Sequence, residues 1–318
     1  MEEVLYKPEG TLLTSDENIK YTSSRMMLER AMDEKKILEG RAAVCDSGHN
    51  LVVELVCMKG FIPREEAALG IADGSVRDIA IITRVNKPVC FIVTDIKKQS
   101  DGSFMAILSR RAAQEKCRDF LFGILENGDV VDARITHLEP FGCFADIGCG
   151  IVALISIDCI SVSRISHPKD RFYVGDSIKA VVKEIDRQAE RISLTHKELL
   201  GTWSQNAEKF CAGQTVAGII RSIESYGIFV ELAPNLAGLA EYKEGLSIGQ
   251  NAAVYIKSII AEKMKIKLSI IDAFNDEGTV TVSENNYFIT GGHIDKFVYS
   301  PPECNRIIET VFHVNNAE

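Results

Sequence analysis

The sequence has 318 residues, more than one small hydrophobic core requires and enough for two or three domains of ordinary size. Hydrophobic residues make up 46% and charged residues 25%, a balance typical of globular proteins. No apolar run is long enough to cross a bilayer, and the beginning MEEVLYKPEG lacks the features of a secretory signal, so we expect a cytoplasmic protein with no membrane partner. The net charge of −9 disfavours a uniformly basic nucleic-acid binder, although a local basic groove is compatible with it.

Cysteine usage bears on metal binding and redox state. The nine cysteines form no C-x-x-C pair, and most lie in apolar runs such as LVVELVC, where a free cysteine behaves as a small hydrophobe. Zinc would need clustered ligands, and the sequence contains no such cluster. We therefore expect reduced, buried thiols, no metal site and no cofactor.

The first predicted elements are a helix and a strand-rich segment. Residues 22–38 predict a helix, with Ser23 and Ser24 available as N-terminal caps. The segment that follows begins with ILEGRAAVCDSGHNLVVELVCMKGFIP at Ile37 and closes with FMAILSRRAA at Phe104. A helical pattern, RAAQEKCRDFLFGIL, comes next.

An internal repeat dominates the rest of the chain. GDVVDARITHLEPFGCFADI from Gly128 aligns without gaps on GQTVAGIIRSIESYGIFVEL, which begins 85 residues later at Gly213. A second block, VGDSIKAVVKEIDRQAERISL from Val174, aligns on IGQNAAVYIKSIIAEKMKIKL from Ile248 with an offset of 74. The earlier copy therefore carries eleven extra residues around CISVSRISHPKDRF, which we interpret as a loop.

Each copy reads as short strands separated by Gly, Asn, Asp and Pro, a pattern typical of a small sandwich or barrel. In VVDARITHL, strict alternation predicts that residues 131, 133, 135 and 137 share one face. Gly142 and Gly227 fall inside second strands, where glycine marks a bend or a barrel corner. Between the copies, HKELLGTWSQNAEKF predicts a helix, and we expect Trp203 to be wedged between that helix and a barrel.

The tail differs from the repeats. TVTVSENNYFIT predicts a hairpin whose turn is Glu284–Asn286, followed by GGHIDKFVYSPPECNRIIETVF. His293 and Asp295 stand without a partner cluster or glycine loop, which favours turn chemistry over catalysis.

The ordered motifs resemble the S1 RNA-binding domain: a glycine-headed strand, an aromatic-Gly-x-Phe strand, and a basic residue before Ile-x-Leu-Ser/Thr. Residues 20–272 resemble the multi-repeat bacterial ribosomal protein S1 family, with GFIP at Gly60, LSRRAA at Leu108, KELLGTW at Lys197 and GLAEYKEGL at Gly238. The resemblance implies three tandem five-stranded OB barrels joined by short helices, with a small β-rich C-terminal extension. The expected boundaries are 1–36 for an N-terminal arm and helix, 37–115 for a degenerate first repeat, 116–127 for a helical linker, 128–197 for the second repeat, 198–212 for a second helical linker, 213–272 for the third repeat and 273–318 for the extension.

The resemblance also implies single-stranded RNA, and mRNA in translation, as the partner. Strand-two aromatics would stack on bases, and basic side chains alongside would follow the phosphate backbone. The expected RNA-binding residues are Phe141, Phe144, Arg134, Lys183, Asp186 and Arg191 in the second repeat, and Tyr226, Phe229, Arg221, Lys257, Lys263, Lys265 and Lys267 in the third.

The sequence departs from the family pattern in three places. The family's histidine after strand three is replaced by Leu154 and by Glu241, and Asp186 stands five rather than four residues before Arg191. We therefore expect modest, non-specific affinity per barrel. The first repeat has no aromatic pair in GHNLVVELV, so RNA binding is not expected there. N-terminal repeats of this kind dock on protein in the family, and the resemblance therefore implies that residues 20–115 face protein, with the small ribosomal subunit as the expected partner.

Three functions compete at this stage. A non-catalytic RNA-binding protein associated with the ribosome agrees best with the repeats. The alternatives are a protein-interaction scaffold with weak or lost RNA affinity, and an RNA-gripping accessory of a ribonuclease. We expect no enzyme, because the sequence shows no phosphate-cradling glycine loop, no H-E-x-x-H and no carboxylates with metal spacing.

Overall fold

The computed structural model describes residues 6–275 and 287–312. Within this part of the chain the strands form three closed five-stranded barrels and one two-stranded sheet. All three barrels have the same strand order, in which the third strand lies parallel to the fifth. This arrangement is that of OB barrels, so the predicted fold is confirmed.

Two short helices precede the first barrel, α1 (Asp16–Thr22) and α2 (Arg25–Asp33). The helix predicted over residues 22–38 is present as α2, shorter than predicted, and Ser24 is its N-terminal cap as expected. The chain is extended at Ser24, whose hydroxyl accepts a hydrogen bond from the Met27 N–H and so begins a new helix.

The first barrel is followed directly by a long helix. The core of the first barrel contains the buried side chains of Leu28, Leu51 and Phe91. The predicted helix RAAQEKCRDFLFGIL is confirmed as α4 (Arg110–Ile124), capped by Ser109. The strands are β1 Leu38–Cys45, β2 Leu51–Glu54, β3 Lys59–Ile62, β4 Pro88–Lys98 and β5 Phe104–Ser109, with the short α3 Ile79–Ile82 between β3 and β4.

The second barrel leads into a broken helix rather than the continuous helix that was predicted. Lys197–Leu200 form a single 3₁₀ turn, and Gly201 then adopts a φ of +83° that interrupts the helix. A Cβ at Gly201 would lie 2.4 Å from the Phe288 ring, so glycine also permits this close approach. The strands are β6 Val130–Glu139, β7 Gly142–Asp146, β8 Val152–Ser156, β9 Ser177–Asp186 and β10 Arg191–Thr195, and α5 spans Trp203–Ala207.

The third barrel shares its core with the C-terminal extension. Trp203 is buried there beside Phe297, Tyr299 and Phe312, which confirms its expected place between helix and barrel. The predicted turn Glu284–Asn286 lies outside the described residues. The strands are β11 Thr215–Glu224, β12 Gly227–Ala233, β13 Leu236–Ala240, β14 Asn251–Ile260 and β15 Lys265–Phe274, with the pair β16 Lys296–Val298 and β17 Glu309–Val311 in the extension.

The chain divides into two compact units, each with its own hydrophobic core. One unit comprises residues up to Leu125 together with 132–134 and 146–152, and the other comprises the remaining residues. None of the helices within the described ranges is both long and apolar enough to span a membrane.

Candidate nucleic-acid interface

Two aromatic pairs of the same geometry lie at the second strands of the second and third barrels. The ring centroids of Phe141 and Phe144 are 6.1 Å apart with an interplanar angle of 86°. Those of Tyr226 and Phe229 are 6.2 Å apart, also at 86°. Phe141 is 56% exposed and Tyr226 is 68% exposed, so a flat ligand can reach both edge-to-face pairs.

A glycine inside each pair explains how two rings three residues apart reach the same surface. Phe141 lies in the turn before β7, and Phe144 follows Gly142 within the strand. A Cβ on Gly142 would lie 2.4 Å from the carbonyl oxygen of Ile155, and one on Gly227 would lie 2.6 Å from the corresponding carbonyl in the third barrel. Glycine therefore lets the third strand approach closely between the rings.

The second barrel carries a further ring that strict alternation did not predict. His137 is exposed, whereas Val131, Ala133 and Ile135 are buried as expected. Its imidazole lies 6.5 Å from the Phe144 centroid with an interplanar angle of 29°. The prediction that His137 shares the inward face was wrong.

The physical reason for the outward histidine is visible in the third barrel. There, β11 has a bulge between Ile220 and Ser222, the positions that align with Ile135 and His137. An extra residue at a bulge shifts the side-chain alternation by one, so the following residue changes face. A bulge leaves no pattern in a single copy, although the polar residue Ser222 at the aligned position of the other copy is a usable signal.

The basic residues predicted to bind RNA in the second barrel are dispersed, and two of them contact other groups of the protein. The Arg134 guanidinium donates to the Glu9 carbonyl oxygen at 2.9 Å. The Lys183 ammonium lies 3.3 Å from the Cys159 sulfur. Asp186 accepts hydrogen bonds from the backbone of its own turn, and Arg191 is exposed directly opposite it in the strand register.

In the third barrel, two of the predicted cations have carboxylate partners. Arg221 is only 10% exposed and forms ion pairs with Glu231 and Asp170. The Lys257 ammonium lies 2.8 Å from the Glu241 carboxylate. This contact holds the pKa of Glu241 below its usual range.

The remaining predicted cations of the third barrel are exposed. Lys265 and Lys267 alternate with the buried Ile266 and Leu268 on β15, as a strand with one charged face requires. Lys263 lies in the 3₁₀ turn before β15 and not in the strand.

Strand register places a cation level with the stacking ring in the third barrel. Phe229 pairs with Leu239, which pairs in turn with Lys267, so the backbones at Phe229 and Lys267 are two strands, or about 10 Å, apart. In the second barrel the residue paired with Leu154 is Ser193, whose other neighbour is Glu184. At the strand position level with the stacking ring, the third barrel therefore has a lysine where the second has a serine next to a glutamate.

The first barrel has a row of apolar side chains at the matching position. In its register Val44 pairs with Val52, Val52 with Phe61, and Phe61 with Ile107. Val44 is 51% exposed and the other three side chains are half-buried. We call these four residues the apolar row; it lacks both the paired rings and the lysine.

The cysteines are free thiols, and most of them are buried. All nine cysteines are unpaired, and six are buried, as the apolar runs predicted for most of them. No group of three or more His, Cys, Asp or Glu side chains in residues 6–275 and 287–312 is arranged to hold a metal ion.

Comparison with known proteins agrees with this architecture. The S1 RNA binding domain family matches residues 124–197. Small ribosomal subunit protein bS1 of Staphylococcus aureus (strain COL) is 28% identical over 287 residues, which cover 85% of this chain and 70% of that protein. The small ribosomal subunit protein bS1 homolog of Bacillus subtilis (strain 168) is 30% identical over 261 residues, covering 80% of this chain and 64% of that protein. A Streptococcus pneumoniae multidomain protein with nucleic acid binding domains is 14% identical, with a TM-score of 0.24 over 75% of this chain and 74% of its own.

The described residues therefore form three tandem OB barrels, of which the second matches the S1 RNA binding domain. Over 80–85% of its length the chain is similar to the bacterial bS1 proteins, the family that its motifs resemble.

Proposed function

We propose that this chain is a non-catalytic protein that binds single-stranded RNA, and mRNA during translation, through its second and third barrels. The observation that carries the proposal is the duplicated ring pair, 6.1 Å and 6.2 Å between centroids and 86° in both barrels. Every base has a π-face, and stacking on an aromatic side chain contributes roughly 1–3 kcal/mol per base with little sequence preference. Two exposed pairs can therefore hold an unstructured strand without reading its sequence.

We expect the second and third barrels to contribute unequally to phosphate binding. Lys265 and Lys267 are exposed on β15 of the third barrel, whereas the second barrel has Ser193 and Glu184 at the level of Lys267. Counterion release makes each phosphate contact salt-dependent. The third barrel accordingly supplies most of the electrostatic affinity, and the second supplies mainly stacking, with His137 as its third ring.

The first barrel has a different role in the proposal, which is to contact protein on the small ribosomal subunit. Its apolar row offers apolar area for contact but neither a ring pair nor a lysine. The names of the bacterial relatives place those proteins on the small subunit. A Val44→Asp/Phe61→Asp variant should then lose co-sedimentation with small subunits while it keeps its affinity for free RNA; the reverse pattern would contradict this assignment.

RNA binding is tested by titrating a fluorescent single-stranded RNA at several salt concentrations. The proposal expects affinity to fall as salt rises and to fall again in a Phe144→Ala/Phe229→Ala variant. Equal binding by wild type and variant would remove the stacking faces from the mechanism and favour a protein-interaction scaffold. Cleavage of the RNA in the same samples would favour a ribonuclease role.

A further inference from the structure

The eleven extra residues of the second repeat have a structural use that RNA binding alone does not explain. We name residues 159–172 the docking segment. Both of its ends are fixed to the second barrel: the Cys159 carbonyl accepts from the His196 N–H at 2.8 Å, and the buried Phe172 ring packs edge-on against the His196 ring at 5.0 Å. Residues between these two ends contact the third barrel.

The first of these contacts is a buried ion cluster. Arg171 lies 2.7 Å from the Glu231 carboxylate, with the two side chains only 3% and 6% exposed. Arg221 of the third barrel contacts the same carboxylate and approaches Asp170 at 3.6 Å. Removing one member of such a cluster leaves an uncompensated buried charge, so the cluster opposes any rotation that would separate its partners.

The second contact is a neutral hydrogen-bond centre at Asn235, in the turn between β12 and β13. This side chain is fully buried and accepts from the Val162 N–H of the docking segment at 2.9 Å. It donates to the carbonyls of Lys197 and Gly201 at 2.7 and 3.0 Å. The Asn235 carbonyl accepts from the Tyr299 hydroxyl of the extension, so one residue joins the docking segment, the linker, the third barrel and the extension.

These contacts border the proposed RNA-binding face. Glu231 follows Phe229 by two residues on β12, so their side chains leave the strand on the same side about 7 Å apart. Arg171 of the docking segment therefore reaches the edge of the third barrel's stacking face. A flexible linker would leave two barrels moving independently, whereas this segment fastens one to the other.

We infer that the docking segment holds the second and third barrels in one fixed arrangement, so that a single RNA strand meets two preorganised faces. Asn235 and Glu231 are then positioning residues for RNA binding. The inference rests on the proposed function and adds to it a dependence on RNA length. Preorganisation removes the ordering cost that two freely moving modules would bring to binding a long strand.

The test compares a short oligouridine of roughly 6 nucleotides, which one barrel can hold, with a long one of roughly 18 that spans both. Asn235→Ala changes no charge, and Ser100→Ala, which is also neutral and lies exposed in the turn between β4 and β5, is the control. In Asn235→Ala we expect the affinity for the long RNA to fall roughly tenfold while that for the short RNA stays within about twofold. Hydrogen exchange should show release of residues 159–172, with the barrel strands still protected.

Asn235→Ala with a released docking segment and wild-type affinity for the long RNA would overturn the inference. If the segment stays protected in that variant, Glu231→Gln/Asn235→Ala is measured in the same way and judged by the same ratio of long to short affinity. Failure of the wild type to bind either RNA in a salt-dependent manner would contradict the proposed function itself. The two failures are thus distinguishable.

Discussion

The Glu241 carboxylate, directly after β13, lies 2.8 Å from the Lys257 ammonium. Glu241 is 85% exposed, so its negative charge repels an approaching phosphate. Its ion pair also engages Lys257, a cation that could otherwise bind that phosphate. We predict that Glu241→Gln raises RNA affinity by roughly twofold to tenfold at low salt, with the gain shrinking as salt screens the charge. Glu244→Gln, three residues away and also exposed, should have a smaller effect; equal gains would show a response to net charge only.

The unequal charge of the two faces gives a second prediction. Lys267→Gln should weaken RNA binding and reduce the dependence of log affinity on log salt by about 0.7, the value for one phosphate contact on a single strand. Conversely, Ser193→Lys places a cation at the matching level of the second barrel and should strengthen binding. Lys20→Gln, exposed on α1, serves as the control for the loss of one charge. Indistinguishable slopes for Lys267→Gln and wild type would place this lysine away from the RNA.

The ring pairs give a third prediction, in which two exposed tyrosines are compared. Tyr226→Ala should cost a factor of roughly 5 to 100 in RNA affinity, because it removes one stacking platform. Tyr173→Ala removes a ring of similar exposure, 65% against 68%, that lies outside both pairs. Fluorescence anisotropy with one oligouridine measures both variants. Similar losses in the two would mean that any exposed ring contributes, and the assignment of the pair would fail.

A fourth prediction concerns stability and pH. His196 is fully buried; its Nδ1–H donates to the Ile160 carbonyl at 2.9 Å, and its Nε2 accepts from the Tyr287 hydroxyl at 3.2 Å. Burial lowers the pKa of His196 to about 4, so the folded protein keeps the ring neutral. The unfolded chain binds this proton near pH 6.5, whereas the folded chain binds it only near pH 4. The stability that comes from this difference in pKa is therefore present above pH 6.5 and is lost as the pH falls towards 4.

From pH 7 to pH 5 this histidine should therefore reduce the free energy of unfolding by about 2 kcal/mol. Urea unfolding of His196→Gln should show a smaller decrease over the same range. His137→Gln, at an exposed histidine, should match the wild type. An unchanged pH dependence in His196→Gln would mean that other groups govern this range.

The sequence was sufficient for the barrels and the ring pairs because both depend on local pattern. Alternation with regularly placed turn residues specifies short strands, and a fixed offset between copies forces equivalent positions such as Phe144 and Phe229 into the same environment. Gly142 and Gly227 then show where the strands approach closely. These features need no knowledge of what packs against them.

The remaining features depend on partners distant in sequence. Arg221 was expected to face RNA, yet its guanidinium pairs with Glu231 and Asp170. The helix through Gly201 was expected to continue, but it breaks where the Phe288 ring fills the adjacent space. Neither contact leaves a mark in the local pattern. The eleven extra residues were correctly located as an insertion, and only the folded chain shows where they dock.

If bases stack on the two ring pairs, they can be crosslinked there. The experiment is photo-crosslinking of the full chain to oligouridine containing 4-thiouridine, followed by mass spectrometry of the crosslinked peptides. We expect crosslinks within residues 137–144 and 226–229, with competition by unlabelled single-stranded RNA. Crosslinks concentrated in the first barrel or the extension, with both of these segments unmodified, would contradict it.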